Sequence, residues 1–190
     1  MHAGDTDAVA HIVREVEDSA AIHGIRIIGI DGPSGSGKST VGARVAAALD
    51  APLIQIDDFV SWEDFSGWWP RFQAQVLEPL LAGRAAHWQV RDWGGDEFGT
   101  SLAEWRTQPW APIVVVEGVT CCRKAASDSL AYSIWVDAPT ELRLERGITR
   151  DGESHRELWT RWMLEEDAFF RADETRERAD LIVSGERQAP

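Results

Sequence analysis

Near the start of the chain, Val9, Ile12, Val13, Val16 and Ala20 follow helical spacing, with Gly24 as a stop. That spacing predicts an amphipathic helix over Asp5 to His23. The next stretch, Ile25 to Ile30, is short and nearly all apolar, as in a strand buried on both faces of a sheet. After a run rich in glycine and serine, Val41, Val45 and Leu49 return at four-residue spacing. A helix over Lys38 to Leu49 and a short strand over Leu53 to Ile56 follow. Further on, PIVVVEGV (Pro112 to Val119), AYSIWVDAP (Ala131 to Pro139) and ADLIVSG (Ala179 to Gly185) read as three more strands. Helical patterns occupy Thr140 to Arg150 and about Ser154 to Phe170. Strands that alternate with helices predict an α/β fold with a mostly parallel five-stranded sheet flanked by helices.

The stretch from Ser61 to Pro112 breaks this rhythm. It predicts one helix (Arg71 to Leu81), a strand at His87 to Arg91 and a turn at Gly94-Gly95, and it reads as an insertion over the carboxyl edge of the sheet. Seven of the ten tryptophans fall in it: Trp62, Trp68, Trp69, Trp88, Trp93, Trp105 and Trp110. Tryptophan serves as a large core residue and also stacks on a flat ring or on the apolar face of a sugar. Clustering this dense predicts that at least one or two of the seven line a pocket.

Length and charge narrow the class. The 190 residues fit one domain with a small insertion. The excess of 32 acidic over 19 basic residues, a net charge of -13, argues against a nucleic-acid groove or an anionic membrane as the main partner. Any anion bound must therefore be captured locally. No apolar run approaches the roughly 20 residues of a membrane span, and the polar start lacks the regions of a signal peptide, so a cytoplasmic protein is expected. The two cysteines, Cys121 and Cys122, are adjacent, which strains a bridge between them and leaves no second pair for a metal site. They read as packing residues in a reducing compartment. The five histidines are scattered and form no ligand cluster or nucleophile triad.

The chemistry is concentrated in the glycine run. Gly32-Pro-Ser-Gly-Ser-Gly37-Lys38-Ser39 fits G-x-x-x-x-G-K-[ST] between a predicted strand and a predicted helix. In that context the glycines let backbone N–H groups point at phosphate oxygens and the helix N-terminus adds its dipole. Lys38 reaches the β- and γ-phosphates and the Ser39 hydroxyl serves Mg²⁺. The expected nucleotide contacts are Gly32, Ser34, Gly35, Ser36, Gly37, Lys38, Ser39 and Thr40, with ATP and Mg²⁺ as cofactors. Glu117, a lone acid ending VVVE, needs a partner, and Lys38 or the hydration shell of Mg²⁺ is expected to provide it. Phosphoryl transfer to an alcohol also needs a carboxylate within reach of the acceptor hydroxyl, and Asp57 stands just past the second strand. Arg143, Arg146 and Arg150 share one helix face, where Glu141 and Glu145 are alternative partners.

In order along the chain, DGPSGSGKST, QIDDF (Gln55 to Phe59), VVVEGV (Val114 to Val119), RLERGITRD (Arg143 to Asp151) and RADLIVSG (Arg178 to Gly185) resemble the uridine kinase and nicotinamide riboside kinase group of P-loop small-molecule kinases. The resemblance is thin between Val60 and Pro112. It implies a P-loop NTPase fold in one domain over residues 1–190, with an acceptor-binding insertion at about 60–112 and a lid at about 143–157. It makes Asp57 the base, with Asp58 as its neighbour on the acceptor side, and places a metal-side acid at Glu117. It also implies a mobile arginine lid in which Arg146 and Arg150 stabilise transition-state charge and Arg143 faces the substrate. Gly147 stands where uridine kinases often carry another arginine. Trp88, Arg91 and Trp93 are the acceptor-side candidates of the insertion, Arg91 replacing a tyrosine of uridine kinases. The expected reaction is transfer from ATP to a hydroxyl of a small molecule, a nucleoside or nucleoside-like compound being the best guess. A nucleoside monophosphate kinase is an alternative, because cytidylate kinases begin their loop with DGPSGSGK. Arg71, Arg84 and Arg91 could hold such a phosphate, although the cytidylate pattern has glycine where this chain has Ser39. A nucleotide-dependent switch with a protein partner is a further alternative, and the oligomeric state, homo-oligomers included, stays open.

Overall fold

The computed structural model describes residues 3–186. Five strands form one sheet: β1 (Arg26–Asp31), β2 (Leu53–Gln55), β5 (Ile113–Glu117), β6 (Tyr132–Asp137) and β7 (Leu181–Ser184). Their order is β2-β5-β1-β6-β7 and every neighbouring pair is parallel. All carboxyl ends therefore face one edge. β1 is central, and its residues alternate between two cores. Ile28 and Ile30 pack with Ile12 and Val16 of α1 (Ala3–Asp18) and Val45 of α2 (Lys38–Ala48). Ile25 and Ile27 belong to the opposite core, which holds the aromatic side chains of the tryptophan-rich segment together with Trp162 and Phe170 of α6 (Arg156–Asp173). Among the described residues no helix is long and apolar enough to cross a membrane.

The elements depart from expectation in four places. The first helix stops at Asp18 rather than His23: the Ser19 hydroxyl turns back onto the Val16 carbonyl at 2.8 Å. Beyond it Ile22 and Ile25 pair across a tight turn with positive φ at His23 and Gly24, as a two-residue hairpin turn requires. The predicted helix 71–81 starts two residues earlier, as α3 (Trp69–Phe72), and runs through a π-helical turn (Gln73–Leu77) into α4 (Glu78–Leu81). Pro79 lacks the N–H of a regular helix, and a widened turn before it absorbs that loss. The predicted strand at His87 is β3 (Ala86–Arg91), and it pairs antiparallel with β4 (Leu102–Gln108), which the sequence did not signal. β4 is mostly exposed, so LAEWRTQ carries no alternating apolar pattern. Finally, α5 (Thr140–Asp151) and α6 are joined by Gly152, at φ 95°, and a single 3₁₀ turn.

Two contacts at the carboxyl edge position the loops. The Asp31 carboxylate, fully buried at the end of β1, accepts N–H bonds from Gly32, Thr120 and Cys122 at 2.7–2.8 Å. It thereby fastens the turn after β1 to the turn after β5. Burial pushes its pKa up to about 7, against the pull of those N–H groups and of Lys38. The second contact explains Gly147. A Cβ there would lie 2.5 Å from the Trp159 indole, and Trp159 is 1% exposed with its N–H on Asp151 at 2.8 Å. The α5–α6 contact therefore has no room for the arginine that uridine kinases often carry.

Gly147→Ala should lower the denaturant midpoint at unchanged m-value, by about 1–3 kcal/mol of stability, as overpacking of a fixed core does. A neutral substitution would show that Trp159 can move. For Asp31, the folded pKa lies above the unfolded value of 3.8, so its contribution to stability is fullest below 3.8 and is lost as the pH rises through about 7. Asp31→Asn removes that titration. The stability advantage of wild type over the variant should shrink between about pH 4 and about pH 7 in urea melts and level off above that, and a pH-independent difference would show that this carboxyl does not titrate there.

Candidate active site

The phosphate loop leaves β1 and enters α2 with the backbone that the motif requires. Gly35 and Gly37 have φ of 77° and 97°, and α2 begins at Gly37 without a side-chain cap. Among the described residues no protein group accepts from the backbone N–H of Gly35, Gly37, Lys38 or Ser39. Lys38 is 9% exposed and lines the cavity that these amides face. Uncapped amides at a helix N-terminus beside a buried lysine fit a phosphate chain. Of the other expected loop contacts, Ser34 and Thr40 also line the cavity, whereas Gly32 and Ser36 lie behind it, both buried.

That cavity, about 960 Å³, opens at the carboxyl edge of the sheet. Asp57, in the 3₁₀ turn that follows β2, and Glu117, at the end of β5, stand in its wall with Lys38 and Ser39. Glu117 is 3% exposed and accepts the Ser39 hydroxyl at 3.1 Å, with Gln55 as a second hydrogen-bond partner. Burial raises the Glu117 carboxyl, and the Lys38 charge opposes the rise. A hydroxyl and a carboxylate presented together are the hard oxygen donors that Mg²⁺ takes.

Arg146 and Arg150 of α5 line the same cavity. The Arg146 guanidinium donates to the carbonyls of Gly35 and Glu186, both at 3.0 Å, and so bridges the phosphate loop to the residue just past β7. Arg150 lies over the Trp159 ring at 5.4 Å and makes two bonds to Asp151, at 2.8 and 3.0 Å; those bonds raise its pKa. Arg143 stands apart. It is 3% exposed, outside the cavity wall, and paired with Glu166.

The tryptophans divide as the clustering predicted. Trp62 and Trp93 line the cavity, joined by Trp159 and Trp162 of α6. Trp62 meets those two edge-on, with ring centres 5.9 and 5.0 Å away. Trp93 is placed by its N–H, which donates to the Asp57 carbonyl at 2.8 Å, while the Arg91 guanidinium covers its ring at 4.9 Å. Trp68 and Trp88 are core residues, packed with Phe59 and Phe72.

Trp88, Asp58 and Arg91 do not face the cavity. The Trp88 indole donates to Asp58 at 2.9 Å, Arg106 of β4 takes the same carboxylate at 2.9 and 3.1 Å, and the three together moor the hairpin to the turn after β2. Burial raises the Asp58 carboxyl despite those two donors. Arg91, 4% exposed, donates to the carbonyls of Asp92, Asp96 and Ser101 and so fills the middle of the 92–101 loop. Its face is completed across the cavity mouth by Glu97, whose carboxylate lies 2.8 Å from His155.

Beyond Trp159 and Trp162, three further participants were missed in the sequence. Glu97 and His155 carry no pattern that could join them. Glu166 does: it falls on the apolar stripe Trp159, Trp162, Met163, Phe170 of α6, and a charge on a buried face signals a specific partner.

No family model matches the chain. In an alignment 144 positions long that covers 65% of this chain, it is 26% identical to mouse uridine-cytidine kinase-like 1, and it spans about a quarter (26%) of that protein's length. Among solved structures it superposes on a possible uridine kinase of Bacillus stearothermophilus with TM-score 0.68 and 19% identity, covering 94% of this chain and 98% of that one. A Silicibacter protein described as a fructose transport system kinase gives TM-score 0.70 and 18% identity over 92% and 98% of the two chains. Shikimate kinase of Acinetobacter baumannii gives 0.51 and 15% over 87% and 86%. The chain has the P-loop kinase fold, and in sequence it is similar to a uridine kinase-like protein, as its motifs imply.

Proposed function

We propose that this protein is a Mg²⁺- and ATP-dependent phosphotransferase acting on a hydroxyl of a small molecule, a nucleoside or nucleoside-like compound being the first acceptor to test. The observation that carries this reading is the meeting of Asp57 with Lys38, Ser39 and Glu117 in one cavity walled on its other side by tryptophan. ATP supplies the transferable phosphoryl group and Mg²⁺ neutralises charge on its phosphates. Ser39 and Glu117 hold the metal side, and the loop amides with Lys38 fix the phosphate chain. Asp57 takes the proton of the acceptor hydroxyl, which Trp62 and Trp93 hold against it. Arg146 already touches the loop, and Arg150 reaches the phosphates by leaving Asp151.

The arginines favour an alcohol over a phosphate acceptor. A monophosphate needs uncommitted guanidinium groups at the acceptor end. Arg71 donates to the carbonyls of Asp58, Phe59 and Gln89, and Arg91 is enclosed by its own loop. Arg84 is exposed and outside the cavity wall. Apart from the arginines of α5, the cavity wall away from the phosphate loop carries carboxylate and indole, among them Asp57, Glu97, Trp62 and Trp93.

A panel of nucleosides, sugars, amino sugars and their monophosphates, scored by ADP release, tests the reading. The expected hit is an alcohol, with its monophosphate turned over far less well. On that acceptor Asp57→Asn should reduce kcat by roughly 10² to 10⁴ with little change in ATP affinity, the range of a lost general base. A preference for the monophosphate, or near-normal kcat with a raised acceptor KM in the variant, would reverse the assignment of Asp57.

A further inference from the structure

Glu166 is a carboxylate with no exposed surface, outside the cavity wall that holds Asp57. Its Oε1 accepts the backbone N–H of Ser34 at 2.8 Å and the Trp162 indole N–H at 2.7 Å. Its Oε2 faces the Arg143 guanidinium at 3.4 Å. One side chain of α6 therefore touches both the phosphate loop and α5. The Trp162 indole also reaches the Ser34 hydroxyl at 3.0 Å, so the first turn of the loop is held twice. Arg143 in turn depends on Glu166: its other carboxylate, Asp167, is 3.8 Å away and half exposed, and its Nε is buried without a partner.

A charge in this position is expensive, since an apolar side chain of similar volume would fill the space with no desolvation. Burial accordingly raises the Glu166 carboxyl, and the charge of Lys38 pulls it back. What the carboxylate does that an apolar residue could not is take the Ser34 amide out of the loop's set of free donors. The amides of Gly35, Gly37, Lys38 and Ser39, residues that line the cavity, are then left without a protein acceptor among the described residues. The loop also presses on α5 directly, since a Cβ on Gly35 would lie 2.5 Å from the Arg143 carbonyl oxygen.

We infer that Glu166 is a positioning residue: through Ser34 it sets the shape of the phosphate loop, and through Arg143 it sets the placement of α5, which carries Arg146 and Arg150. The inference rests on the phosphotransferase reading and adds a division of labour to it. Loop shape governs nucleotide affinity, and placement of α5 governs turnover.

Two substitutions separate these arms. Glu166→Gln keeps an oxygen for Ser34 and Trp162 and sets an amide against Arg143, whereas Glu166→Ala removes both contacts. MgADP binding is measured by calorimetry on the whole protein, with circular dichroism to confirm folding, and kcat and KM for ATP follow on the acceptor found above. Glu166→Ala should weaken MgADP by roughly ten- to a hundredfold, the scale of a small displacement of a binding group. Glu166→Gln should leave MgADP affinity within about threefold of wild type and lower kcat about tenfold, so the two variants split KM from kcat. If folded Glu166→Ala binds MgADP within about twofold of wild type, or if Gln and Ala lose affinity alike, the inference is overturned. Should Glu166→Ala fail to fold, the Gln variant alone decides: its expected loss of kcat at retained affinity supports the inference, and unchanged kcat overturns it. Wild type that binds no MgADP overturns the phosphotransferase reading first, and the inference with it.

Discussion

The structure depends on how closely backbone can approach backbone around the phosphate loop. A Cβ on Gly35 would strike the Arg143 backbone at 2.5 Å, and one on Gly185 would lie 1.7 Å from the Ser36 carbonyl oxygen. Gly35 also needs its left-handed conformation, while Gly185 needs only the space. The loop is thus wedged between the start of α5 and the end of β7, and its inner edge is tied down by Asp31. A loop fixed from outside keeps its N–H groups aimed inward without a ligand, so little ordering remains to be done when an anion arrives. Under the proposed function, that arrangement is how a chain of net charge -13 would hold a polyanion. The positive potential is made locally, by oriented amides and one buried lysine, and the acidic remainder of the surface is screened over about 10 Å at ordinary ionic strength.

The regular part of this architecture was legible because its signals are local. The strands β1, β5 and β6 are buried on both faces and read as apolar runs, and the loop motif is contiguous. Ser39, Glu117 and Asp57 lie on or beyond three separate strands, Ser39 in the helix that the loop after β1 leads into, yet a parallel sheet must bring those strand ends to one edge, so topology predicts their meeting. The illegible part has a common physical cause. β4 is an exposed strand whose pattern is set by solvent, Glu97 and His155 meet only through the fold, and Asp58 and Arg91 owe their partners to a hairpin register that the sequence does not encode locally. Their residue types suggested ligands, and in the folded chain the same groups instead satisfy buried donors and carbonyls, which is the commoner use of a buried charge.

The same comparison explains why acceptor identity is the hardest property to read. The tryptophan-rich segment does two jobs with one residue type. Trp68 and Trp88 fill the core with Phe59 and Phe72, and Trp62 and Trp93 reach the cavity. Nothing in the spacing distinguishes the two sets. Burial does, because it depends on the hairpin and on α6, which contributes Trp159 and Trp162 from far along the chain. The cradle can therefore stay fixed while the acceptor wall changes, since the two share few side chains.

Carboxylates balance the phosphate end before any nucleotide is present. The Ser39 hydroxyl is held by Glu117, Arg150 by Asp151, and Ser34 by Glu166. Binding of a metal-bound polyphosphate at Ser39 and Arg150 is then an exchange of partners, in which the net gain is the difference between two charge-assisted contacts rather than the full strength of one. Ser34 is the exception, because its partner is buried and has no exposed surface from which to be displaced. The loop amides are another, since among the described residues no protein group competes for them. Affinity should accordingly come mainly from the backbone cradle and Lys38, and the exchanged contacts should set the timing: Arg150 becomes available only when something more anionic than Asp151 stands within its reach. Under the proposed function, phosphoryl transfer would gain from that order, because the charge assigned to the transition state would arrive after the phosphate is already held and the cavity is filled.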